Sequence, residues 1–379
     1  MPKKNLRILI VAGEASGDLH AAKLVRALND AAVDQDIEFF GAAGPQMRDA
    51  GVDAVVPSDQ LSIVGLVEIG RALPMFLWAF RKLKQAVQAR RPVAAILVDF
   101  PDFNLKLARS FKRSGIKVIY YISPQLWAWR GYRLHTIRKY VDLLITILPF
   151  EEDWYRSRGV DHVTYVGSPL ATEVFSHLTI REFSERHGIE PDKPLIALLP
   201  GSRNKEIARI LPLMINAASL MKITYPGVQF IIASSGAANT EKIASIAGEK
   251  WKTVTGATYD LLKVASAAAI ASGTATLEAA IIGVPMAIVY KTSALNYSLL
   301  RPLISVEHFG LANLIAGERV AKEMIQQDFT AEALAAELTR LLEPDVNAAM
   351  REKLRETADK LGHGGASKRA AEAILKLLR

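Results

Sequence analysis

Leu6-Arg7-Ile8-Leu9-Ile10-Val11-Ala12-Gly13-Glu14-Ala15-Ser16-Gly17-Asp18 is the stretch on which the fold turns. A run of aliphatics ends in a glycine turn, and Leu19, Ala22, Val25 and Leu28 then recur at helical spacing through 18–32. Apolar residues in succession, rather than alternating with polar ones, belong to a strand covered on both faces. Such a strand, followed at once by an amphipathic helix, opens a parallel α/β sheet.

The same pattern extends outward. Residues 37–40, 94–98, 118–122, 143–148 and 163–166 read as further strands, each spaced widely enough for a crossover helix. The grammar then restarts, with strands at 195–199, 229–233, 267–271 and 286–290 and helices at 206–224, 259–265, 274–282 and 331–342. The expected fold class is therefore α/β, with two Rossmann-like domains facing each other across a cleft. The expected domains are 1–168, 169–346 and a terminal helical segment, 347–379, folding back over the first. At 379 residues the chain suits two or three domains.

Composition narrows the chemistry. There is no cysteine, which excludes disulfides, thiolate metal sites and a cysteine nucleophile. The seven histidines show neither His-x-His nor His-Glu-x-x-His spacing, so no transition metal is expected. No stretch reads as a membrane-spanning helix, and the simplest location is cytoplasmic. Between Arg71 and Lys139 lie fifteen basic residues and two acidic ones, Asp99 and Asp102. That local excess attracts phosphates in a nucleic acid, an anionic lipid or a substrate; solvated helix faces are the plainer explanation. The basic residues form no RNA- or DNA-binding motif, so nucleic acid is not an expected partner.

Two strand-to-helix turns in the second half suit a phosphorylated nucleotide. Leu199-Pro200-Gly201-Ser202-Arg203 combines close backbone approach, a hydroxyl and a bidentate cation at a helix start. Ala271-Ser272-Gly273-Thr274-Ala275-Thr276-Leu277-Glu278 offers small residues and hydroxyls where an anion meets a helix dipole, with Glu278 in reach of a ribose diol. Helix capping alone would account for either turn; together, at carboxyl ends of strands in one domain, they favour a nucleotide. The first turn, Gly13–Asp18, is not Gly-x-Gly-x-x-Gly, and a Walker A lysine is missing, so hydride transfer and ATP hydrolysis lose support.

In the first half, Glu14, Ser16, Gly17 and Asp18 suit sugar hydroxyls or an acceptor phosphate, with simple capping the alternative. Val98-Asp99-Phe100-Pro101-Asp102-Phe103-Asn104 puts Asp99 at the end of a buried strand, which makes it the best candidate for a general base. Asp102 is second, although an Asp after Pro is often only a turn residue. Ser123-Pro124-Gln125-Leu126-Trp127-Ala128-Trp129-Arg130 adds two tryptophans for sugar stacking or core packing. Residues 63–91 carry a stripe of Leu66, Ile69, Leu73, Phe76, Phe80, Leu83 and Val87, expected to be buried. Val64, Val67, Met75, Leu77 and Trp78 lie off it, beside Arg81, Lys82, Lys84, Arg90 and Arg91. Core packing covers part of this signal, and an interfacial membrane element the rest. Pro74 is expected to split the segment into two helices.

Taken in order, these motifs resemble the lipid-A-disaccharide synthases. The matching stretches are Gly13–Asp18, Ala42–Met47, Val98–Asn104, Ser123–Arg130, Leu148–Glu151, Leu198–Arg203, Ala271–Glu278 and Asn313–Gly317. The resemblance implies a metal-independent GT-B glycosyltransferase without a cofactor, working at the inner membrane's cytoplasmic surface. It implies UDP-2,3-diacylglucosamine as donor, 2,3-diacylglucosamine 1-phosphate as acceptor, and an anionic membrane as partner; a homodimer is left open. Asp99 would be the base. Gly201, Ser202, Arg203, Ser272, Gly273, Thr274, Glu278 and Asn313 would hold the donor. Glu14, Ser16, Gly17, Asp18, Asp102 and Asn104 would hold the acceptor. The chain departs from the family at Ser168, where a histidine is usual, and at Ala312, where a proline is usual. Other readings of the fold are a UDP-N-acetylglucosamine 2-epimerase or an undecaprenyl-linked transferase. A non-catalytic nucleotide-sugar or membrane-binding protein is a further alternative.

Overall fold

The computed structural model describes residues 4–58, 69–294, 297–298, 301 and 306–379. They fall into two compact units, Met1–Pro169 with Gly364–Arg379, and Leu170–His363.

The first unit is built on parallel strands β1 (Lys4–Ala12), β2 (Gln35–Ala43), β3 (Asp53–Pro57), β4 (Ala94–Val98), β5 (Lys117–Tyr121), β6 (Leu143–Thr146) and β7 (Val163–Tyr165). Their order across the sheet is β3-β2-β1-β4-β5-β6-β7. Strand β1 pairs with β4 from Ile8↔Ala94 to Ala12↔Val98, and its residues from Ile8 to Ala12 are fully buried. Successive side chains feed two cores. Leu9, Val11 and Leu97 face one with Phe103 and Leu107, while Ile8, Ile10 and Ile96 face the other with Leu24 and Leu28. That two-sided burial is why the aliphatic runs are continuous.

The second unit repeats the plan with β8 (Leu195–Leu199), β9 (Gln229–Ser234), β10 (Thr253–Thr255), β11 (Ala267–Ala271), β12 (Met286–Tyr290) and β13 (Glu323–Ile325), ordered β10-β9-β8-β11-β12-β13. Helix Asn204–Thr224 is long and apolar enough to cross a membrane by length and composition. Its stripe of Ile207, Ile210, Leu211, Met214 and Met221 is nevertheless buried in the unit's core, so it is a core helix.

Several expectations need correction. The segment 347–379 does not return as one piece. Helix Pro344–Asp359 stays in the second unit, where Met350 and Leu354 join the core and Arg351 Nη1 donates to Gly283 O at 2.7 Å. Only helix Ala366–Leu378 joins the first, packing on helix Ala15–Ala31 and burying Ala370 and Ile374. Pro74 does not split the following segment, because Ile69–Arg90 is one helix. Pro74 forgoes the one bond to the fourth residue back, and the helix continues past it to Arg90. Residues 63–68, with Val64, Leu66 and Val67, lie outside the described residues. Within the helix, Leu83 and Val87 are buried and Phe76 and Phe80 pack on the core, but so does off-stripe Met75, while Leu73 is 54% exposed. The basic excess is also partly matched by acids from elsewhere: Arg90 pairs with Glu38 and Asp53, and Lys112 with Asp142.

Candidate active site

In the first unit the chain leaves β1 toward β2 but β4 toward β5, on opposite sides of the β1–β4 pair. Ligands of open parallel sheets bind beyond the carboxyl ends of such a pair. Gly13 and Asp99 follow directly from these ends. A Cβ on Gly13 would lie 2.3 Å from the Phe100 ring, so only glycine lets the two loops close up. Asp99 and Phe100 are both left-handed, at φ 47° and 48°. Each such non-glycine residue costs about 1–2 kcal/mol, so the corner has to be held from outside.

Asn104 and Tyr120 hold it. The Asn104 Nδ2 donates to Val98 O at 3.1 Å and Asp99 O at 2.8 Å, and the Tyr120 hydroxyl donates to Asp99 O at 2.6 Å. Burial, then the negative charge of Glu14, push the Asp99 carboxyl from 3.8 up to about 6, against a bond from the Phe100 N–H and the charge of His20. A carboxylate with that pKa is ionised at neutral pH and is a stronger base than an ordinary aspartate.

The expected acceptor residues separate into two groups. Glu14 and Ser16 are exposed at the start of helix Ala15–Ala31, which has no side-chain cap, so its first N–H groups face outward. Gly17 is buried against Ala12 and Val98. Asp102 is exposed and ion-paired with Arg130 and Arg133. Asp18 and Asn104, by contrast, are buried and bonded within the chain. Asp18 is buried and accepts from the N–H groups of Gly44, Gln46 and Met47, closing the next βα turn. Asn104 is wholly buried beneath the Asp99 corner. Of the two tryptophans, Trp127 is buried with its Nε1 donating to Glu151 at 3.0 Å, and Trp129 is 40% exposed.

The second unit holds a cavity of about 510 Å³ beyond the carboxyl ends of β8, β9 and β11. It is lined by Gly201, Ser202, Ser272, Gly273, Thr274 and Glu278, all expected from sequence, and by Glu206, Ser234, Tyr259 and Asp260 among others. Helices Asn204–Thr224 and Thr274–Ile282 both begin at this cavity, and neither has a side-chain cap. Two uncapped helix starts concentrate positive potential and N–H donors on one anion. Gly201, at φ 108°, takes a conformation that side chains disfavour, and a Cβ there would meet Glu206 Oε2 at 2.9 Å. Asn239, which carried no signal in the sequence, fixes this turn by donating from Nδ2 to Ser202 O at 2.8 Å.

Arg203 extends into solvent, its side chain 80% exposed, and pairs with Glu206 at 3.1 Å. Ser272 donates to Phe309 O at 2.8 Å. Burial raises the Glu278 carboxyl, partly offset by a hydrogen bond with Tyr259. Asn313 is not among the residues lining the cavity. It is wholly buried, bonded to both the N–H and C=O of Ala321 and to Glu323, and so it pins the loop between its helix and β13. The altered neighbour Ala312 is buried beside it.

Comparison with known proteins settles the family. The lipid-A-disaccharide synthetase family model matches residues 8–377. The chain belongs to the lipid-A-disaccharide synthase family. A lipid-A-disaccharide synthase of Geobacter metallireducens is 42% identical over 379 residues, covering 99% of this chain and 98% of that one. One from Syntrophus aciditrophicus is 44% identical over 377 residues, covering 98% of each. Among solved structures, a UDP-GlcNAc 2-epimerase from Neisseria meningitidis bound to UDP-GlcNAc superposes with a TM-score of 0.66 at 15% identity, covering 98% of this chain and all of that one. The calicheamicin glycosyltransferase CalG4 gives 0.60 at 15%, covering 100% and 99%. At such low identity these two establish the fold alone, two parallel-sheet α/β domains of the GT-B type. The lipid-A-disaccharide synthases are glycosyltransferases, and neither the epimerase nor the binding-protein alternative is favoured for a member of that family.

Proposed function

We propose that the chain transfers the sugar of UDP-2,3-diacylglucosamine to 2,3-diacylglucosamine 1-phosphate, giving the β(1→6) disaccharide 1-phosphate and UDP with inversion. The observation that carries this reading is Asp99, a carboxylate set at a strained, half-buried corner with its pKa raised to about 6. Asp99 takes the proton from the acceptor's primary hydroxyl as that oxygen bonds to the anomeric carbon. The bond from that carbon to the diphosphate oxygen breaks, and its electrons leave with UDP. Negative charge therefore grows on the diphosphate, where the two helix starts, the Gly201–Ser202 and Ser272–Thr274 turns and Arg203 stabilise it. Glu278 takes the ribose diol. Glu14, Ser16 and the Gly17 backbone, together with Asp102, line the acceptor's path.

Both substrates carry acyl chains, which calls for a lipid surface. Leu73, Leu77 and Trp78 are 54%, 48% and 39% exposed on helix Ile69–Arg90, beside exposed Arg81, Lys82 and Lys84. Apolar side chains flanked by cations are suited to an anionic membrane interface, and this supports peripheral attachment at the cytoplasmic face of the inner membrane.

The test is incubation of purified protein with both acylated substrates. Equal yields of disaccharide and UDP are expected. UDP binding without release would make the chain a nucleotide-sugar binder, and equal use of unacylated UDP-N-acetylglucosamine would make it another UDP-sugar enzyme.

A further inference from the structure

The loop after β5 brings two arginines, unused by the transfer chemistry, onto Asp102, which follows β4. Arg130 Nη1 donates to both oxygens of Asp102, at 2.8 and 3.1 Å, and Arg133 Nη2 donates to the same carboxylate. One carboxylate thus faces two guanidiniums, leaving one positive charge over. A guanidinium has five N–H donors, so a pairing through one nitrogen leaves others for a second anion. Arg133, its side chain 15% exposed, also hydrogen-bonds Tyr132, and the more open fork is that of Arg130, at 33%. Arg130 lies over the Trp129 ring at 4.1 Å, which orients its plane and keeps its edge open.

The cluster belongs to the same sheet edge as Asp99. Tyr120, whose hydroxyl holds the Asp99 carbonyl, feels the charges of both Arg133 and Asp102. The loop is anchored from below, by Trp127 on buried Glu151 and by the Tyr155 hydroxyl donating to Pro124 O at 2.7 Å. Its backbone is also strained. Asp99, Phe100, Ile122 and Arg130, which all follow β4 or β5, are left-handed without being glycine. The Asp102 side chain is 68% exposed, and an ion pair so open to water stabilises little. Strain kept in place around such a pair is better explained by binding than by folding.

We propose that Arg130 and Arg133 receive the acceptor's phosphomonoester, with Asp102 as the counter-ion that holds both guanidiniums in position until it arrives. A phosphomonoester dianion offers three oxygens to two planar forks, and it outcompetes a single carboxylate for them. The inference rests on the reading above for the identity of the acceptor. Its contribution is to recognition of the acceptor, and the chemistry stays with Asp99.

The experiment compares wild type with Arg130→Gln/Arg133→Gln, using diacylglucosamine acceptors with and without the 1-phosphate. Wild type should prefer the phosphorylated acceptor. In the double variant its KM should rise about 10- to 100-fold, the loss expected for charge-assisted bonds, with kcat within a few-fold and the donor KM unchanged. The preference between acceptors should then disappear. A preference that survives, or an equal loss with both acceptors, overturns the proposal. Arg130→Lys/Arg133→Lys keeps the charge but not the forks and should be intermediate, which covers a glutamine variant that folds poorly. If wild type transfers nothing, the functional reading fails, and calorimetry with glucosamine 1-phosphate still tests the cluster. At least tenfold weaker binding by the glutamine variant supports the proposal; equal binding, or none by wild type, overturns it. Phosphatidylglycerol vesicles separate a lipid headgroup from the acceptor. Both proteins should bind them alike, and loss of vesicle binding with the acceptor preference intact would assign the pair to the membrane instead.

Discussion

Replacing Asp99 by asparagine should make the protein more stable while it stops turnover. The carboxyl's pKa is raised from 3.8 to about 6, with burial as the main cause and Glu14 the second. The folded state therefore holds this proton more tightly than the unfolded chain, and ionising the group opposes folding. That rise corresponds to roughly 3 kcal/mol, an upper figure for a group that keeps some contact with water. Asparagine has nearly the same shape, retains an oxygen for the Phe100 N–H, and carries no charge. Its advantage should be full above pH 6, decline between pH 6 and 4, and vanish below. At about 2–4 °C per kcal/mol, a melting point several degrees higher is expected at pH 8. Thermal unfolding of both proteins at pH 8, 6 and 4 is the assay. No gain at pH 8, or a gain as large at pH 4, would mean that Asp99 does not occupy a desolvated, negatively charged corner.

Other expectations follow from the same geometry. The acid limb of kcat/KM should report an apparent pKa of about 6, and Glu14→Gln should move it to lower pH because a neighbouring negative charge is removed. Arg203→Ala should leave the melting point almost unchanged, since the side chain is 80% exposed, and weaken UDP binding about 10- to 100-fold by calorimetry. Asn104→Ala should cost about 2–4 kcal/mol in denaturant unfolding, because it removes two buried bonds at 3.1 and 2.8 Å and frees the strained corner. Its kcat should fall while UDP affinity in the second unit stays the same.

Strands buried on both faces were legible because burial forces a continuous aliphatic run, and four of them, 94–98, 195–199, 267–271 and 286–290, coincide with β4, β8, β11 and β12. The strands with no sequence signal are β3, β10 and β13, which all lie at sheet edges. Thr253-Val254-Thr255 and Glu323-Met324-Ile325 are too short and too polar to stand out, since an edge strand needs less cover. Asp99 was legible for a related reason: a carboxylate ending a buried run has little choice but the sheet's carboxyl edge.

Asp18, Asn104 and Asn313 have residue types and turn positions that suit a ligand as well as a backbone. What decides between the two is a partner elsewhere in the chain. Asp18 closes on Gly44–Met47, more than twenty-five residues away, and Asn313 on Ala321 and Glu323. The pairing of Asp102 with Arg130 and Arg133 is hidden in the same way, because it joins loops after different strands. Tyr259 had no signal at all; its hydrogen bond with Glu278 exists only once two helix starts meet at one cavity.

The measurement that bears most directly on the division of labour pairs UDP binding with turnover in Asp99→Asn. UDP affinity should equal that of wild type, since the proposed UDP site lies wholly in the second unit, while disaccharide formation should drop by about 10²–10⁴-fold, the usual contribution of a general base. Near-normal disaccharide formation by that variant, with UDP still bound, would contradict the account.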